Sequence, residues 1–314
     1  MQVEAPARLH LGFLDLDGGL GRRFGSLGLT VDGLSTRLRL RLAKTAIVEG
    51  VGEVARARRL LDTLTTAWSL PPVEIGIEAT IPAHAGLGSG TQLALALGVG
   101  LARLTGRAAS ARSVAQLLER GRRSGIGIGA FEQGGFLLDG GRADDLEPPP
   151  LIARLSFPEP WRLLLVFDDA CEGLHGSSET RAFGSLPPFP AELAGHLCRL
   201  AVMRLLPGVA TADIGATGAA VGEIQKRVGD HFAPAQGGRF TSRAVGTVLD
   251  WLEQQGVAGV GQSSWGPTGF ALLASESMAE QFRAEAERRF GGRFRSLRFL
   301  VSRARNHGAE VKPG

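Results

Sequence analysis

The sequence predicts an α+β fold made of two closely associated domains. At 314 residues, the chain is long enough for two units that each bury a core. Its first half alternates strand-like stretches, in which apolar residues recur at every second position, with stretches of helical spacing. A proline cluster at 148–150 precedes a second half that is mainly helical. We therefore expect one domain at 1–160 and another at 161–314.

Strand-like and helix-like stretches follow one another through the predicted first domain. In the stretch at 35–44, Leu38, Leu40 and Leu42 alternate with arginines, which is typical of a sheet with one solvated face. Such patterns predict strands at 3–16, 35–44, 73–81 and 134–141, and helices at 54–68, 91–104 and 111–123. The clustered prolines predict no regular element between 144 and 160.

The predicted second domain opens with a fully apolar strand, WRLLLVF at 161–167. A polar loop at 171–190 follows, and the chain is then mainly helical from Ala191 to about Gln255. Strand, helix and strand at 268–274, 277–290 and 295–304 come last. This order predicts a ferredoxin-like second domain.

Composition argues against several classes of protein. Glycine, arginine and proline interrupt every apolar run before it reaches the roughly 18 residues of a membrane span, and residues 1–13 lack the pattern of a secretory signal. We therefore expect a soluble, cytoplasmic protein with no membrane partner. Cys171 and Cys198 are too few for a disulfide framework or a four-ligand zinc site.

The charge balance favours small anionic ligands over nucleic acid. The formal net charge is only +4, and the arginines are spread along the chain rather than gathered in one block. Tyrosine is absent and aromatic residues make up only 6% of the chain, so few side chains are available to stack on bases. We expect no nucleic-acid partner.

The stretch IPAHAGLGSGT at 81–91 has the composition of a phosphate-binding loop. Its alternate glycines allow positive φ and a close approach of the backbone to a ligand, and Ser89 or Thr91 is expected to cap the helix that follows. The helix N-terminus then offers N–H groups and partial positive charge to an anion. The alternative is an ordinary glycine turn. We expect phosphate contacts at His84, Gly86, Leu87, Gly88, Ser89, Gly90 and Thr91.

The segment from Pro82 to Ser89 resembles the central phosphate loop of the GHMP kinase superfamily, P-x-x-x-G-L-G-S. An early P-x-R-L-x-L strand at 6–11 and a late glycine-rich segment resemble the superfamily's other two marks. The resemblance implies a GHMP-kinase-like two-domain fold, with a ribosomal protein S5 domain 2-like N-terminal domain and a ferredoxin-like C-terminal domain. One departure matters, because Gly127 stands where many of these kinases carry the aspartate that deprotonates the phosphate acceptor.

Four separate segments resemble a non-kinase branch of this superfamily, the β-ribofuranosylaminobenzene 5′-phosphate synthases of methanopterin biosynthesis. The segments lie at 7–29, 124–141, 173–188 and 261–272. The resemblance implies condensation of phosphoribosyl pyrophosphate with 4-hydroxybenzoate or 4-aminobenzoate, with release of pyrophosphate and carbon dioxide and formation of a C-riboside. It also implies Mg²⁺. The residues themselves do not decide between the two benzoates.

Histidines, one glutamate and two aspartates in these segments are candidates for chemistry. His10, His175 and Glu179 are candidate catalytic residues, and the alternatives are a structural histidine and a capped helix with solvated charges. Asp15 and Asp17, two apart at a predicted strand end, are candidate magnesium ligands, and the alternative is an ordinary hairpin turn.

Arginines and a late loop are candidates for substrate binding. The arginines Arg8, Arg22 and Arg23 could pair with a phosphate or a carboxylate. We expect a further loop, containing Ser263, Ser264 and Trp265, to lie against the phosphate loop.

Two rival functions remain open at this point. One is a small-molecule kinase that uses another base, and the second is a regulatory phosphate-binding protein without turnover. The helical second half could also supply the surface of a homodimer.

Overall fold

The computed structural model describes residues 1–143, 147–173 and 176–314, with the backbone alone at 177–180. Its strands are β1 (Gln2–Asp15), β2 (Phe24–Leu42), β3 (Ile47–Gly50), β4 (Val73–Ala79), β5 (Phe136–Asp139), β6 (Leu151–Leu155), β7 (Arg162–Asp168), β8 (Val260–Gln262), β9 (Gly269–Leu273), β10 (Leu297–Ser302) and β11 (Glu310–Lys312). Its helices are α1 (Val54–Trp68), α2 (Ser89–Leu104), α3 (Ala111–Leu117), α4 (Ile126–Glu132), α5 (Gly176–Ser185), α6 (Ala191–Leu200), α7 (Leu206–Ala210), α8 (Ile214–Gln236), α9 (Arg243–Gln254) and α10 (Glu276–Phe290). A π-helical turn, Ala201–Leu205, joins α6 to α7.

A seven-stranded sheet carries the first half of the chain. Its path runs β11-β1-β2-β4-β3, and β5 pairs with β2 and with β6. The long strand β2 makes this possible, because one end pairs with β5 and the other end with β4. Helix α2 is buried from Gln92 to Ala102 and packs on β1 and β2. The sheet thus fixes the start of α2, where the glycine-rich loop enters.

A four-stranded antiparallel sheet, in the order β10-β7-β9-β8, forms the second half. Strand β7 is apolar throughout because both of its faces are covered. Leu164 and Val166 pack with α9 and α10, whereas Leu163 and Leu165 join the core that includes β1 and α8. One continuous hydrophobic cluster therefore spans both sheets.

Several predicted boundaries are wrong for identifiable reasons. Strand β6 lies in the stretch that we expected to be irregular, and it forms because it pairs with β5 alone, at the edge of the sheet, directly after the prolines. Helix α3 ends at Leu117 rather than at 123, because Glu119 and Gly121 adopt positive φ. The helix expected within the polar loop at 171–190 is present as α5.

One described helical stretch, Ala191–Ala210, is long and apolar enough to cross a membrane by length and composition. Leu197, Ala201 and Leu205 on this stretch are fully buried in the shared core. Packing against the rest of the protein therefore accounts for the apolar residues on its buried face, whereas Val202 and Met203 are exposed.

Candidate active site

The glycine-rich loop turns directly into α2, and among the described residues no side chain caps the start of the helix. Gly86 and Gly88 have φ of 80° and 83°, which favour glycine. The residue before the helix is Gly88, and no side chain caps it. The expected cap by Ser89 or Thr91 is therefore wrong, since the N-cap position falls on Gly88. The first-turn N–H groups of Ser89 and Gly90 come before any intrahelical acceptor and are suited to bind an anion.

Strand β1 holds this loop through Arg8. Its Nη1 donates to the Gly86 carbonyl oxygen at 2.5 Å, and its backbone N–H donates to the Leu87 oxygen at 3.2 Å. A Cβ atom at Gly88 would lie 3.2 Å from Cζ of Arg8. The guanidinium therefore lies directly against the loop, where it adds positive charge beside the start of α2.

A turn from the second sheet closes over the same loop. The Ser263 hydroxyl donates to the Gly86 oxygen at 2.8 Å and accepts from the His10 backbone N–H at 3.0 Å. The Ser264 N–H donates to the His10 oxygen at 3.2 Å. Ser263 thus joins β1, the loop and the second sheet through one side chain.

Glycines allow three backbones to meet at this point. A Cβ at Gly86 would lie 2.1 Å from the Ser263 carbonyl oxygen, and one at Gly266 would lie 2.3 Å from the carbonyl carbon of Ala85. Gly173, after β7, donates its N–H to the His84 oxygen at 3.1 Å. A Cβ at Gly173 would also lie too close to the Trp265 carbonyl oxygen. We call Gly86, Gly173 and Gly266 the glycine joint.

His10 is buried and neutral. Only 3% of the residue is exposed, and burial, followed by the nearby charge of Arg8, lowers its pKa to about 3. Its Nδ1 accepts from the Gly12 N–H at 3.4 Å, so the neutral ring carries its proton on Nε2. Nε2 is buried and has no hydrogen-bond partner in the described part of the chain.

A cavity of about 30 Å³ adjoins His10 and lies between β1, α8 and the turn at 263–268. Trp265 also lines it, and the indole N–H of this residue is likewise buried without a partner among the described residues. The space suffices for a water molecule. Both rings present N–H donors, so this small space is suited to an oxygen acceptor.

A larger pocket, of about 630 Å³, opens beside the aromatic residues that surround Trp265. Phe183 packs against Trp265 with ring centroids 5.1 Å apart, and the Arg123 guanidinium lies 4.5 Å from the Phe183 ring centroid. Arg23 lies on the same wall. Aromatic surface and two guanidinium groups suit a flat, anionic ring. We call this space the aromatic pocket.

Gly127 lies next to the first turn of α2. A Cβ at this position would lie 2.9 Å from the Thr91 methyl carbon, and the Gly127 oxygen accepts from the Gln92 side chain at 2.8 Å. The position is therefore at the loop, as the resemblance implies, but it offers no carboxylate, and a Cβ there would displace the Thr91 side chain.

Asp15 and Asp17 form a turn at the end of β1, in which their carboxylates accept from backbone N–H groups. Asp15 accepts from the N–H groups of Asp17 and Gly18, both at 2.9 Å, and Asp17 accepts from Gly19 at 3.0 Å. Among the described residues, no group of three or more histidines, cysteines or carboxylates could hold a metal ion. Their role as metal ligands stays a prediction.

The other candidates are placed away from the loop or outside the described region. Arg22 donates to the carbonyl oxygens of Gly140 and Gly141, both at 2.8 Å, and Arg23 donates to the Leu16 oxygen at 3.2 Å. His175 and the Glu179 side chain lie outside the described residues.

Sequence reasoning missed two arginines that the structure brings to the loop. A Cβ at Gly90 would lie 3.3 Å from Nη1 of Arg56 and 3.9 Å from Nη1 of Arg120. Both residues occur in arginine-rich stretches that look like solvated helix faces, and no local pattern sets them apart. Only the contact with Gly90, which is distant in sequence from both arginines, distinguishes them.

Comparisons with known proteins give the same fold. The chain matches the family models of the GHMP kinases N-terminal domain at 52–135 and of the GHMP kinases C-terminal domain at 205–292. Homoserine kinase from Cytophaga hutchinsonii superposes with a TM-score of 0.71 over 99% of this chain and 97% of that chain, at 19% identity. Lactococcus lactis galactokinase gives 0.70 over 99% and 95%, at 14% identity. The fold and the loop thus define a protein of the GHMP kinase superfamily.

Two proteins of similar sequence identify the family within this superfamily. β-Ribofuranosylphenol 5′-phosphate synthase of Archaeoglobus fulgidus is 30% identical over 99% of this chain and 99% of its own length. The protein of the same name from Methanothermobacter thermautotrophicus is 30% identical over 98% of this chain and 97% of its own. The chain belongs to the family of β-ribofuranosylphenol 5′-phosphate synthases and is an enzyme of the pentosyltransferase type. The resemblance seen in the sequence is confirmed.

Proposed function

We propose that this enzyme condenses phosphoribosyl pyrophosphate with a para-substituted benzoate for methanopterin biosynthesis. A bond forms between ribose C1 and the ring carbon that bears the carboxylate, the C1–O bond to pyrophosphate breaks, and the carboxylate leaves as carbon dioxide. The observation that carries the proposal is a phosphate loop with free helix donors beside Gly127, a position without a carboxylate. The names of the relatives favour 4-hydroxybenzoate over 4-aminobenzoate, because the first gives a ribosylphenol.

The loop is suited to hold the departing diphosphate. Loss of pyrophosphate places positive charge on the sugar and negative charge on the leaving group, which donors already in place stabilise. The N–H groups of Ser89 and Gly90 and the Arg8 guanidinium meet this requirement. No hydroxyl of the substrate must lose its proton for phosphoryl attack, so the reaction tolerates glycine at 127.

The aromatic pocket is our candidate for the benzoate site. Its phenylalanines offer a flat apolar surface, and Arg23 and Arg123 offer positive charge to a carboxylate. His10 takes part in its neutral form, because a pKa of about 3 makes it a poor proton acceptor near neutral pH. We assign it the role of hydrogen-bond donor to a substrate oxygen through Nε2.

A magnesium requirement belongs to the proposal as well. Diphosphates bind Mg²⁺ through their own oxygens together with few protein carboxylates, so the absence of a three-residue cluster among the described residues is compatible with it. Omission of Mg²⁺ from the assay tests this point.

Product formation tests the proposal directly. The protein is incubated with phosphoribosyl pyrophosphate, magnesium and each benzoate labelled at its carboxylate, and pyrophosphate and labelled carbon dioxide are measured. We expect equal amounts of both from 4-hydroxybenzoate. If neither acid yields carbon dioxide, the proposal is wrong, and release of ADP from ATP with an alcohol acceptor would favour the kinase instead.

Loop variants locate the diphosphate. Gly88→Ala adds a Cβ next to Arg8 in a residue with positive φ, and we expect affinity for phosphoribosyl pyrophosphate to fall about tenfold or more. We expect Ser89→Pro to weaken binding as well, since it removes a first-turn N–H group. Arg103→Gln, at the far end of α2, is the control and should bind as the wild type does. Unchanged affinity in both loop variants would contradict the assignment.

We further propose that the enzyme works in the cytoplasm and forms a homodimer. Val202 and Met203 are 53% and 70% exposed on the helical stretch between α6 and α7, and such side chains suit a subunit interface. Light scattering at micromolar concentration distinguishes a dimer from a monomer.

A further inference from the structure

A second group of arginines approaches the phosphate loop at Gly90. Arg56 lies in the first turn of α1, and Arg120 follows α3. Their Nη1 atoms lie 3.3 Å and 3.9 Å from the position that a Gly90 Cβ would occupy. Arg8 contacts the loop at Gly86 and Gly88 instead. The loop therefore has two separate groups of positive charge.

The charges at Gly90 are poorly balanced. Arg56 lies at the N-terminal end of α1 and beside that of α2, where a cation is unfavourable. Glu53 offsets it at 2.5 Å. Glu119 pairs with Arg122 at 2.7 Å with its side chain 71% exposed, and its charge acts to raise the pKa of Arg120 against the larger effect of burial. Two carboxylates, one of them largely exposed, thus offset the guanidinium groups of Arg56, Arg120 and Arg122 beside two helix N-termini.

The guanidinium of Arg120 lies in an unfavourable environment. Burial, and then the charge of Arg56, lower the pKa of Arg120. Its Nε atom is buried and finds no hydrogen-bond partner in the described part of the chain. A buried, unpaired guanidinium N–H close to a like charge is unfavourable unless an anion joins it.

An open groove of about 430 Å³ lies along this group, and its charged lining residues are Arg56, Arg59, Arg120 and the largely exposed Glu119. The groove is large enough for a sugar phosphate rather than a single ion. Its position on the side of Gly90 differs from that of His10 and Trp265, which line the cavity near Arg8.

We propose that Arg56 and Arg120, on the Gly90 side of the loop, form the site for the 5′-phosphate of the ribosyl substrate. This assignment rests on the function proposed above. The 1-diphosphate must lie near the acceptor, hence on the side of Arg8, and the 5′-phosphate is the end of the substrate that does not react. Two guanidinium groups match the paired oxygens of a phosphate monoester.

Calorimetric titration with two partial ligands tests the site. Ribose 5-phosphate carries the monoester alone, and inorganic pyrophosphate stands for the leaving group. We expect Arg120→Gln and Arg56→Gln to weaken ribose 5-phosphate binding about tenfold or more, with pyrophosphate affinity within about twofold of the wild type. Gly88→Ala should show the reverse pattern.

Arg103→Gln removes the same charge at the other end of α2 and is the control. If Arg120→Gln fails to fold, as judged by circular dichroism, Arg56→Gln decides. Unchanged ribose 5-phosphate affinity in the folded variants, equal loss of both ligands, or a wild type that does not bind ribose 5-phosphate would overturn the site. A selective loss in an enzyme that forms no carbon dioxide would instead retain the site and reject the proposed reaction.

Discussion

At the scale of single residues, the glycine joint decides whether the loop keeps its shape. At Gly86, positive φ and a carbonyl oxygen 2.1 Å from any Cβ both exclude a side chain. The substitution Gly86→Ala must therefore displace the turn at 263–268 as well as strain the backbone. We expect it to lower the free energy of unfolding by roughly 2–4 kcal/mol, measured by urea denaturation.

Gly106→Ala is the matched control, because Gly106 has φ of 70° and nothing within 4 Å of its Cβ position. The fall in its free energy of unfolding reports backbone strain alone and should be smaller than that of Gly86→Ala by about 1 kcal/mol or more. If Gly86→Ala and Gly106→Ala lower the free energy of unfolding equally, the contact with Ser263 does not contribute to the loss.

The buried His10 makes stability depend on pH. Its folded pKa of about 3 lies below the ordinary value of 6.5, so the unfolded chain binds a proton that the folded one rejects. This contribution is intact above about pH 6.5 and is lost as pH falls towards 3, with a slope of up to about 1.4 kcal/mol per pH unit. We expect His10→Gln to flatten the fall of unfolding free energy between pH 6.5 and 4.

His196→Gln is the comparison for this experiment, since that ring is half exposed and pairs with Glu223 at the surface. We expect its pH profile to follow the wild type. The lowered pKa of His231 acts in the same direction in all three proteins. If the pH profile of His10→Gln runs parallel to that of the wild type, His10 is protonated as readily in the folded protein as in the unfolded chain.

At the scale of elements, α2 is shaped by what packs on it. A Cβ at Gly98 would lie 2.3 Å from Cγ1 of Val114 on α3. Alanine favours a helix over glycine by about 1 kcal/mol, yet we expect Gly98→Ala to lose roughly 1–3 kcal/mol through overpacking. Combining it with Val114→Ala should restore part of the loss, and a double-mutant cycle of unfolding free energies measures this coupling. Additive losses would contradict a direct contact.

Sequence patterns recover elements whose signals are local. The predicted helix at 54–68 has the same ends as α1 because its apolar residues Leu60, Leu61 and Leu64 recur on one buried face. Strand β7 is predicted from an apolar run bounded by polar residues. Strand β6 and the pairing of β11 with β1 depend on partners far along the chain, and no window of residues shows them.

The same reasoning applies to the candidate site. The loop itself is visible in the spacing of its glycines, and Ser263 is visible as a departure from a glycine run. Arg56 and Arg120 become distinctive only when α1 and α3 are packed beside Gly90. The capping expectation failed because positive φ at Gly88 decides where α2 starts.

At the scale of the whole molecule, the segment after β10 ties both halves together. Arg305 is 6% exposed and pairs with Glu4 at 2.8 Å and with Glu310 at 3.4 Å. We expect Arg305→Met to lower the free energy of unfolding by roughly 1–3 kcal/mol, because Glu4 loses its buried cation, whereas Glu310 keeps Lys312. Arg303→Met, which removes an exposed pair with Asp32, should cost less than about 1 kcal/mol. If Arg305→Met and Arg303→Met lower the free energy of unfolding by similar amounts, in both thermal and urea denaturation, burial of Arg305 is unimportant.

The pairing of β11 with β1 also has a consequence for biosynthesis. Residues 2–4 pair with residues 310–312, so this part of the β1 edge stays open until residues 310–312 have left the ribosome. An unpaired strand edge is a template for association with other chains. During translation, the start of β1 is therefore open to association with other chains until β11 has been made.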